Sequence, residues 1–404
     1  MKSVELFAGA GGLAMGCEIA GFEHLAVVEW DKWACDTVRE NQKRGYPILA
    51  GWNLHEGDVR EFDWSSVPQD IELLAGGPPC QPFSIGGKHK AYQDNRDMFP
   101  ATVEIIRRLR PKAFIVENVK GLTRSTFANY FHYIQLQLEF PELPPTPDED
   151  WADHLARLQV EKTSGKRKGK GLTYNVIPTL VNAANYGVPQ KRERVFIVGF
   201  RDDLGIEWSF PTPTHSFDAL LYDQWVTGAY WRRHRIAQPK VPAKLAARVA
   251  KLAQAKEQPN TLPWRTVRDA IYDLPDPESS AASQVPNHVY QPGARTYPGH
   301  TGSPLDLPAK TLKAGDHGVP GGENMLVNED GSVRYFTVRE SARIQTFPDG
   351  FRFHGSWTET MRQLGNAVPV VLAQRVAASV AEQLALAELT RLAKVEKSIK
   401  RKQA

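Results

Sequence analysis

The chain has 404 residues, room for two or three domains at about 100–200 residues each, with 41% hydrophobic and 24% charged residues and a formal net charge of +4. Such a composition excludes a disordered or low-complexity chain, and +4 is too weak to argue for nucleic acid unless the charge is gathered on one face. The three cysteines, Cys17, Cys35 and Cys80, form no CxxC pair and no metal-ligand spacing, and the eleven histidines are equally scattered, so no metal is expected. An odd number of cysteines suits a reducing compartment. Glu5 and the glycines at 9–12 interrupt any signal-peptide pattern, and no apolar run approaches the ~20 residues that span a bilayer. A soluble cytoplasmic protein with no membrane association is expected.

In chain order, the first expected strand is Val4–Phe7, followed by a helix at Leu13–Ile19. Between them lies Glu5-Leu6-Phe7-Ala8-Gly9-Ala10-Gly11-Gly12, a glycine-rich strand-to-helix turn. Glycines there let a ligand approach the backbone, and the helix start offers free N–H groups. On its own the turn leaves NAD, FAD, a methyl donor or a plain tight turn open, although the spacing is not G-x-G-x-x-G. The second strand, Leu25–Glu29, ends in Glu29-Trp30-Asp31 before a helix at Lys32–Asn41. A carboxylate at that strand end suits ribose hydroxyls, and an exposed Trp stacks on a base. Asp58 is placed to accept from an adenine amino group; a core aromatic and a turn residue are the plainer readings of Trp30 and Asp58.

Strand Ile71–Ala75 leads into Gly76-Gly77-Pro78-Pro79-Cys80-Gln81-Pro82-Phe83-Ser84, which points a cysteine off the sheet edge where open α/β sheets bind ligands. Glycines 86 and 87 and the polar run through Asp97 read as a mobile loop, with Lys88, Lys90 and Arg96 free to meet phosphates. A helix at Met98–Arg110 and a strand at Phe114–Glu117 follow. An insertion, Pro141 to Gly171, holds a helix near Trp151–Val160 and a basic run at 166–170. Strands Tyr174–Leu180 and Val195–Phe200 flank Gln190-Lys191-Arg192-Glu193-Arg194. The βαβα order predicts a doubly wound, mostly parallel sheet.

From 201 to 335 the alternation gives way to Pro, Gly, His and Trp, with one Ala-rich helix at Pro242–Glu257. This reads as a second, smaller and irregular domain. Helical pattern returns at Thr337–Ile344 and again after Pro369, with Leu372, Val376, Val380 and Leu384 forming a core-facing stripe. Residues 336–390 complete the first domain, and Lys394–Lys402 is expected to be a frayed basic tail.

Glu117-Asn118-Val119, the 190–194 run and Gln363-Leu364-Gly365-Asn366-Ala367-Val368-Pro369 complete an ordered set with the glycine turn and the Pro-Pro-Cys motif. Together they resemble the DNA (cytosine-5)-methyltransferases of bacterial and phage modification type. One departure is visible: the family's opening motif starts with Asp, and Glu5 stands here. The resemblance implies a Rossmann-like methyltransferase domain over 1–200 and a target-recognition domain over 201–335. It implies S-adenosylmethionine held by Phe7, Ala8, Gly9, Gly11, Gly12, Glu29, Trp30, Asp58, Pro79 and Asn366.

The chemistry explains the residue types. Cytosine C5 is too poor a nucleophile to attack a methyl sulfonium until a thiolate adds at C6, and Cys80 fits that role because sulfur also leaves readily. An ordinary thiol is only a few per cent ionised at neutral pH, so a neighbouring charge from Arg192 or Arg194 is expected to help. Glu117 is placed to stabilise N3, and Arg194 to hold O2. A duplex hides C5 and C6, so the base must be flipped out; Gln81 is the residue expected to fill the gap, and Ser84 belongs to the same DNA-facing loop. Arg232, Arg233, Arg235, Arg295, Thr311 and Lys313 are expected to contact DNA, by resemblance at a GC-rich, CCGG-like site. The partners implied are duplex DNA and a cognate restriction endonuclease acting at the same site, with the enzyme a monomer. RNA methylation and a catalytically dead DNA-binding regulator are the rival readings; the long 201–335 region argues against the first, and joint retention of Cys80, Glu117 and Arg194 against the second.

Overall fold

The computed structural model describes residues 1–79, 97–165, 171–255, 257–298, 301–314 and 324–403, with side chains as far as 400. The first half runs β1 (Lys2–Leu6), α1 (Gly12–Ile19), β2 (Glu23–Glu29), α2 (Lys32–Lys43), β3 (Leu54–Glu56), β4 (Leu73–Gly76), α3 (Phe99–Leu109), β5 (Ala113–Val119), α4 (Ala128–Glu139), α5 (Trp151–Ser164), β6 (Tyr174–Asn182) and β7 (Glu193–Arg201). These strands form one seven-stranded sheet in the order β3-β2-β1-β4-β5-β7-β6. The pairs from β3 to β5 are parallel, and β7 runs antiparallel between β5 and β6. The order reverses between β1 and β4, which is where a ligand crevice forms in a doubly wound sheet.

Successive residues of a strand face opposite layers. Leu74, Phe114 and Val116 pack with Phe99, Ile105 and Ile134 of α3 and α4. Leu73, Ala75 and Ile115 pack on the other face with Leu13 and Cys17 of α1 and with Leu372, Val376 and Val380. Those last three lie on the terminal helix, so the end of the chain closes the core begun by its first helix. The insertion folds as α5, capped by Asp150, and rests on α4 through Leu158 and Tyr133. The buried Tyr133 hydroxyl and His154 Nδ1 are 2.7 Å apart, and His154 Nε2 is 2.7 Å from the Leu143 carbonyl oxygen.

After residue 201 come the short helices α6 (Phe217–Leu221) and α7 (Ala229–Arg233), the longer α8 (Ala243–Gln254), and α9 (Val267–Ile271). Two small cores hold this region, one around Leu220, Tyr230 and Trp231, the other joining Val267 and Ile271 to Ala309, Leu312, Phe336 and Ile344. The chain returns through α10 (Val338–Ile344), α11 (Trp357–Asn366) and α12 (Val370–Gln403). Two expectations fail here. The tail does not fray, because α12 continues to Gln403. One helical stretch, 357–400, is also long and apolar enough by composition to cross a membrane, but 61% of its most apolar window is buried inside the protein. That burial marks a core helix.

Candidate active site

At the end of β1 the chain turns sharply, with Phe7, Gly9 and Gly11 at φ of 53°, 54° and 91°. A bulky residue in the left-handed region is strained, and such strain gathers at ligand sites. A Cβ on Gly9 would meet nothing within 4 Å, whereas one on Gly12 would lie 2.3 Å from the Val368 carbonyl oxygen. Gly9 therefore lines open space, and Gly12 seats α1 against the segment that follows Asn366. The Ala8 N–H donates to the Val28 carbonyl at 3.2 Å, tying the turn to β2.

Glu29, 6% exposed, accepts from the backbone N–H groups of Gly9 (2.6 Å), Trp30 (2.8 Å) and Asp31 (2.7 Å). Burial pushes its carboxyl above the ordinary value, opposed by those three donors. Beside it Trp30 stands 74% exposed. The Gly57 N–H donates to the Glu29 carbonyl at 2.8 Å, bringing the Asp58 loop alongside. The Asp58 carboxylate itself is taken up by Arg60, with Nη2 at 2.5 Å. An open backbone cradle, a strand-end carboxylate and an exposed aromatic fit an adenosine-bearing group such as S-adenosylmethionine. Sequence reading missed Arg362, whose Nη2 reaches Asp31 Oδ2 at 3.0 Å and so steadies the Trp30 loop from α11. Its place four residues before Asn366 was the available signal.

Glu117 sits near the end of β5, next to the strand that leads to Cys80. Its Oε2 would be 3.2 Å from a Cβ on Gly77, a tight approach that a glycine avoids and that a side chain there would meet only if Glu117 moved by a few tenths of an ångström. Asn118, also missed as a site residue, donates from Nδ2 to the Pro78 carbonyl at 3.0 Å and fixes the Pro-Pro shoulder beside Glu117. Pro79 is exposed and its carbonyl accepts from the Met98 N–H. Cys80, Gln81, Ser84, Lys88, Lys90 and Arg96 lie outside the described residues, as does the basic run 166–170.

Antiparallel pairing of β5 with β7 puts Val119 opposite Arg194 and brings Arg194 Nε to 2.8 Å from Glu117 Oε1. That approach lacks hydrogen-bond geometry, and Oε1 has no hydrogen-bond partner among the described residues. Burial pushes the Glu117 carboxyl up, against the charges of Arg194 and Arg192. The Arg192 guanidinium is fully buried; Nη1 donates to the Leu312 carbonyl (3.0 Å) and Nη2 to those of Gly365 (2.6 Å) and Ala367 (3.0 Å), while Nε has no hydrogen-bond partner among the described residues.

The DNA-contact candidates divide. Arg232 donates to the Thr227 carbonyl, and Arg233 pairs with Asp223 at 3.2 Å and lies over the Tyr230 ring. Arg235, at φ 55°, and Arg295 are exposed. Thr311 donates to the Lys191 carbonyl at 2.7 Å, and the Lys313 N–H to Asn324 Oδ1 at 3.0 Å. Thus 309–314 is stitched to the 190–194 run, while Arg232 and Arg233 of α7 make their contacts within 223–230 and with Asp269. Among the described residues no group of His, Cys, Asp and Glu is arranged to hold a metal.

A doubly wound sheet with an open backbone turn and a buried acid at its strand ends places a ligand crevice at the switch point. The profile of the C-5 cytosine-specific DNA methylases matches residues 1–141 and 165–382, omitting most of the insertion. The Type II methyltransferase M.NgoMIV of Neisseria gonorrhoeae is 30% identical over 95% of this chain and 97% of its own length. M.Eco47II of Escherichia coli is 32% identical over 94% of this chain and 79% of its own length. The solved Dnmt2 methyltransferase of S. pombe shares the fold at 16% identity, TM-score 0.53, over 95% of this chain and 98% of that one. This chain belongs to the C-5 cytosine-specific DNA methylase family. Its reaction is S-adenosylmethionine-dependent methylation of cytosine C5 in DNA.

Proposed function

We propose that the chain is a sequence-specific modification methylase that works by covalent catalysis on a flipped-out cytosine. The observation that carries this reading is the Glu117 carboxyl, buried beside Gly77 at the end of the strand next to the Cys80 strand, with its Oε1 2.8 Å from Arg194 Nε. A neutral carboxylic acid there donates to N3 as negative charge develops on the ring. The Cys80 thiolate adds to C6, and the C5=C6 electrons become available at C5. S-adenosylmethionine, when bound, supplies the electrophilic methyl group. Arg194 balances charge at O2. Loss of the C5 proton to a base then restores the double bond as the thiolate leaves C6.

For the cofactor, the Phe7–Gly12 turn, Glu29 and Trp30 are the residues proposed to hold ribose and adenine, with Asn366 and Pro79 at the margin. By analogy with its Type II relatives, the chain protects one short duplex site from an endonuclease acting at that site, and does so in the cytoplasm as a monomer. The test is a duplex carrying 5-fluorocytosine at the target. Fluorine cannot leave as a proton does, so the methylated adduct should stay attached to the protein, and Cys80→Ala should abolish it while still binding DNA. Methylation by Cys80→Ala would overturn the mechanism.

A further inference from the structure

A buried polar junction joins three parts of the chain that lie far apart in sequence. Gln190, Arg192, Asn324 and Gln345 are each at most 0% exposed. Gln190 accepts from the Leu312 N–H at 3.0 Å and donates to Gln345 Oε1 at 2.9 Å. Gln345 Nε2 donates to the Leu364 carbonyl at 2.5 Å. Asn324 grips Lys313 through both its N–H and its carbonyl, each at 3.0 Å. Arg192 spans the whole set, from Leu312 on one side to Gly365 and Ala367 on the other. Close packing completes it, since a Cβ on Gly365 would lie 2.1 Å from the Ala314 nitrogen.

Arg192 and Arg194 are two residues apart on an extended run, so they share a side. One grips the segment containing Thr311 and Leu312; the other grips Glu117. We infer that Arg192 is a positioning residue, which fixes the register of segment 311–314 against the Arg194–Glu117 pair so that reading of the DNA site sets the geometry of catalysis. Its two terminal nitrogens, Nη1 and Nη2, are committed to backbone carbonyls, while Nε has no hydrogen-bond partner among the described residues. The contacts from Arg192, Gln190 and Asn324 go to the backbone of Leu312 and Lys313, so they hold the register of the segment without relying on the side chains at those two positions. A buried donor network of this kind is costly to break by halves, because each orphaned carbonyl keeps its desolvation penalty.

This inference rests on the covalent mechanism proposed above, and the experiment separates the two. Rates of trapping on 5-fluorocytosine duplexes are measured for the full chain, Arg192→Lys and Asn324→Ala, using the cognate site and single-mismatch sites, across pH. If the parent forms no trapped adduct, the cytosine mechanism fails first. If it does, both variants should trap the cognate duplex about 10–100-fold more slowly, with discrimination against mismatches reduced at least tenfold and the pH midpoint of trapping unmoved. Asn324→Ala loosens the same segment without touching Arg192, so it keeps the test alive should Arg192→Lys fail to fold. A shifted pH midpoint with discrimination intact would assign Arg192 to the thiolate and overturn the inference; unchanged discrimination in both variants would overturn it as well.

Discussion

Glu117 and Glu5 are both buried carboxyls near the ends of β5 and β1, strands separated by β4, and they differ in what surrounds them. Glu117 is ion-paired with Arg194 through Oε1; Glu5 is 1% exposed and its Oε2 has no hydrogen-bond partner among the described residues. For Glu117, burial favours the protonated form against the charges of Arg194 and Arg192, the sense that a proton donor to N3 requires. Glu117→Gln keeps a neutral donor of similar shape but cannot exchange a proton, so single-turnover methylation should fall by about 10²–10⁴-fold. The parent should also show a falling limb as pH rises through the raised Glu117 value, and this limb should vanish in the variant. An unchanged pH profile would remove Glu117 from the chemistry. Burial alone holds the Glu5 carboxyl well above its ordinary value. The folded state therefore keeps a proton that the unfolded chain gives up near pH 4.3. Its contribution to stability is complete below about that pH and is lost as pH rises toward the folded value. Glu5→Gln should thus gain Tm over the parent, by a margin that widens from pH 4 to pH 8; a constant margin would mean that Glu5 has an ionic partner.

At the scale of elements, the turn after β1 makes a sharp distinction between two glycines in one motif. Gly9 lines open space, so Gly9→Ala should cost only the strain of a positive φ, about 1–2 kcal/mol, while blocking the cofactor. Gly12→Ala meets the Val368 carbonyl and should lower Tm by much more, with cofactor affinity falling only because α1 shifts. Calorimetry and thermal melts on the two variants give both quantities, and equal losses of Tm would show that the cradle is not open. Glu29→Ala should weaken cofactor binding by about 10–150-fold, the equivalent of 1.5–3 kcal/mol, since the carboxylate also holds the Gly9, Trp30 and Asp31 N–H groups. The same scale shows what the sequence could tell. Strands β1, β2, β4, β5 and β7 were legible because they are apolar runs buried on both faces, and the edge strand β6 through its β-branched and apolar residues Val176, Ile177, Leu180 and Val181. β3 was missed because Leu54-His55-Glu56 is a short polar edge, and α4 because Tyr130, Phe131 and Tyr133 blur a helical period. The glycine turn, Glu29 and Glu117 were legible as strand-end residues. The committed contacts of Arg192 were not, since they depend on carbonyls 120 and 173 residues away.

At the scale of the whole molecule, the 201–335 region is attached to the catalytic sheet in an uneven way. Most of it packs around its own cores, but 309–314 is joined to 189–192 by backbone hydrogen bonds, Ala309 N–H to Pro189 and Lys191 N–H to Ala309. Backbone pairing does not depend on side-chain identity, so a relative's segment can dock in the same register. Direct readout needs side chains at base edges, each good pair worth about 1–3 kcal/mol of discrimination, whereas phosphate contacts change affinity almost uniformly and alter the salt slope. Two chimeras separate these roles. Replacing 201–335 with the corresponding region of a relative that modifies a different site should move the methylated position to that relative's site while adduct formation persists. Replacing only 201–308, which leaves the native 309–314 segment and Asn324 in place, should give an active enzyme whose specificity is mixed, with the donor's preference at bases read before residue 309 and the parent's at the rest. Mapping methylated cytosines in DNA from cells expressing each chimera reads the outcome directly. If both chimeras are active and both still modify the original site, recognition lies in the catalytic sheet and its loops, and the junction at Arg192 serves stability alone.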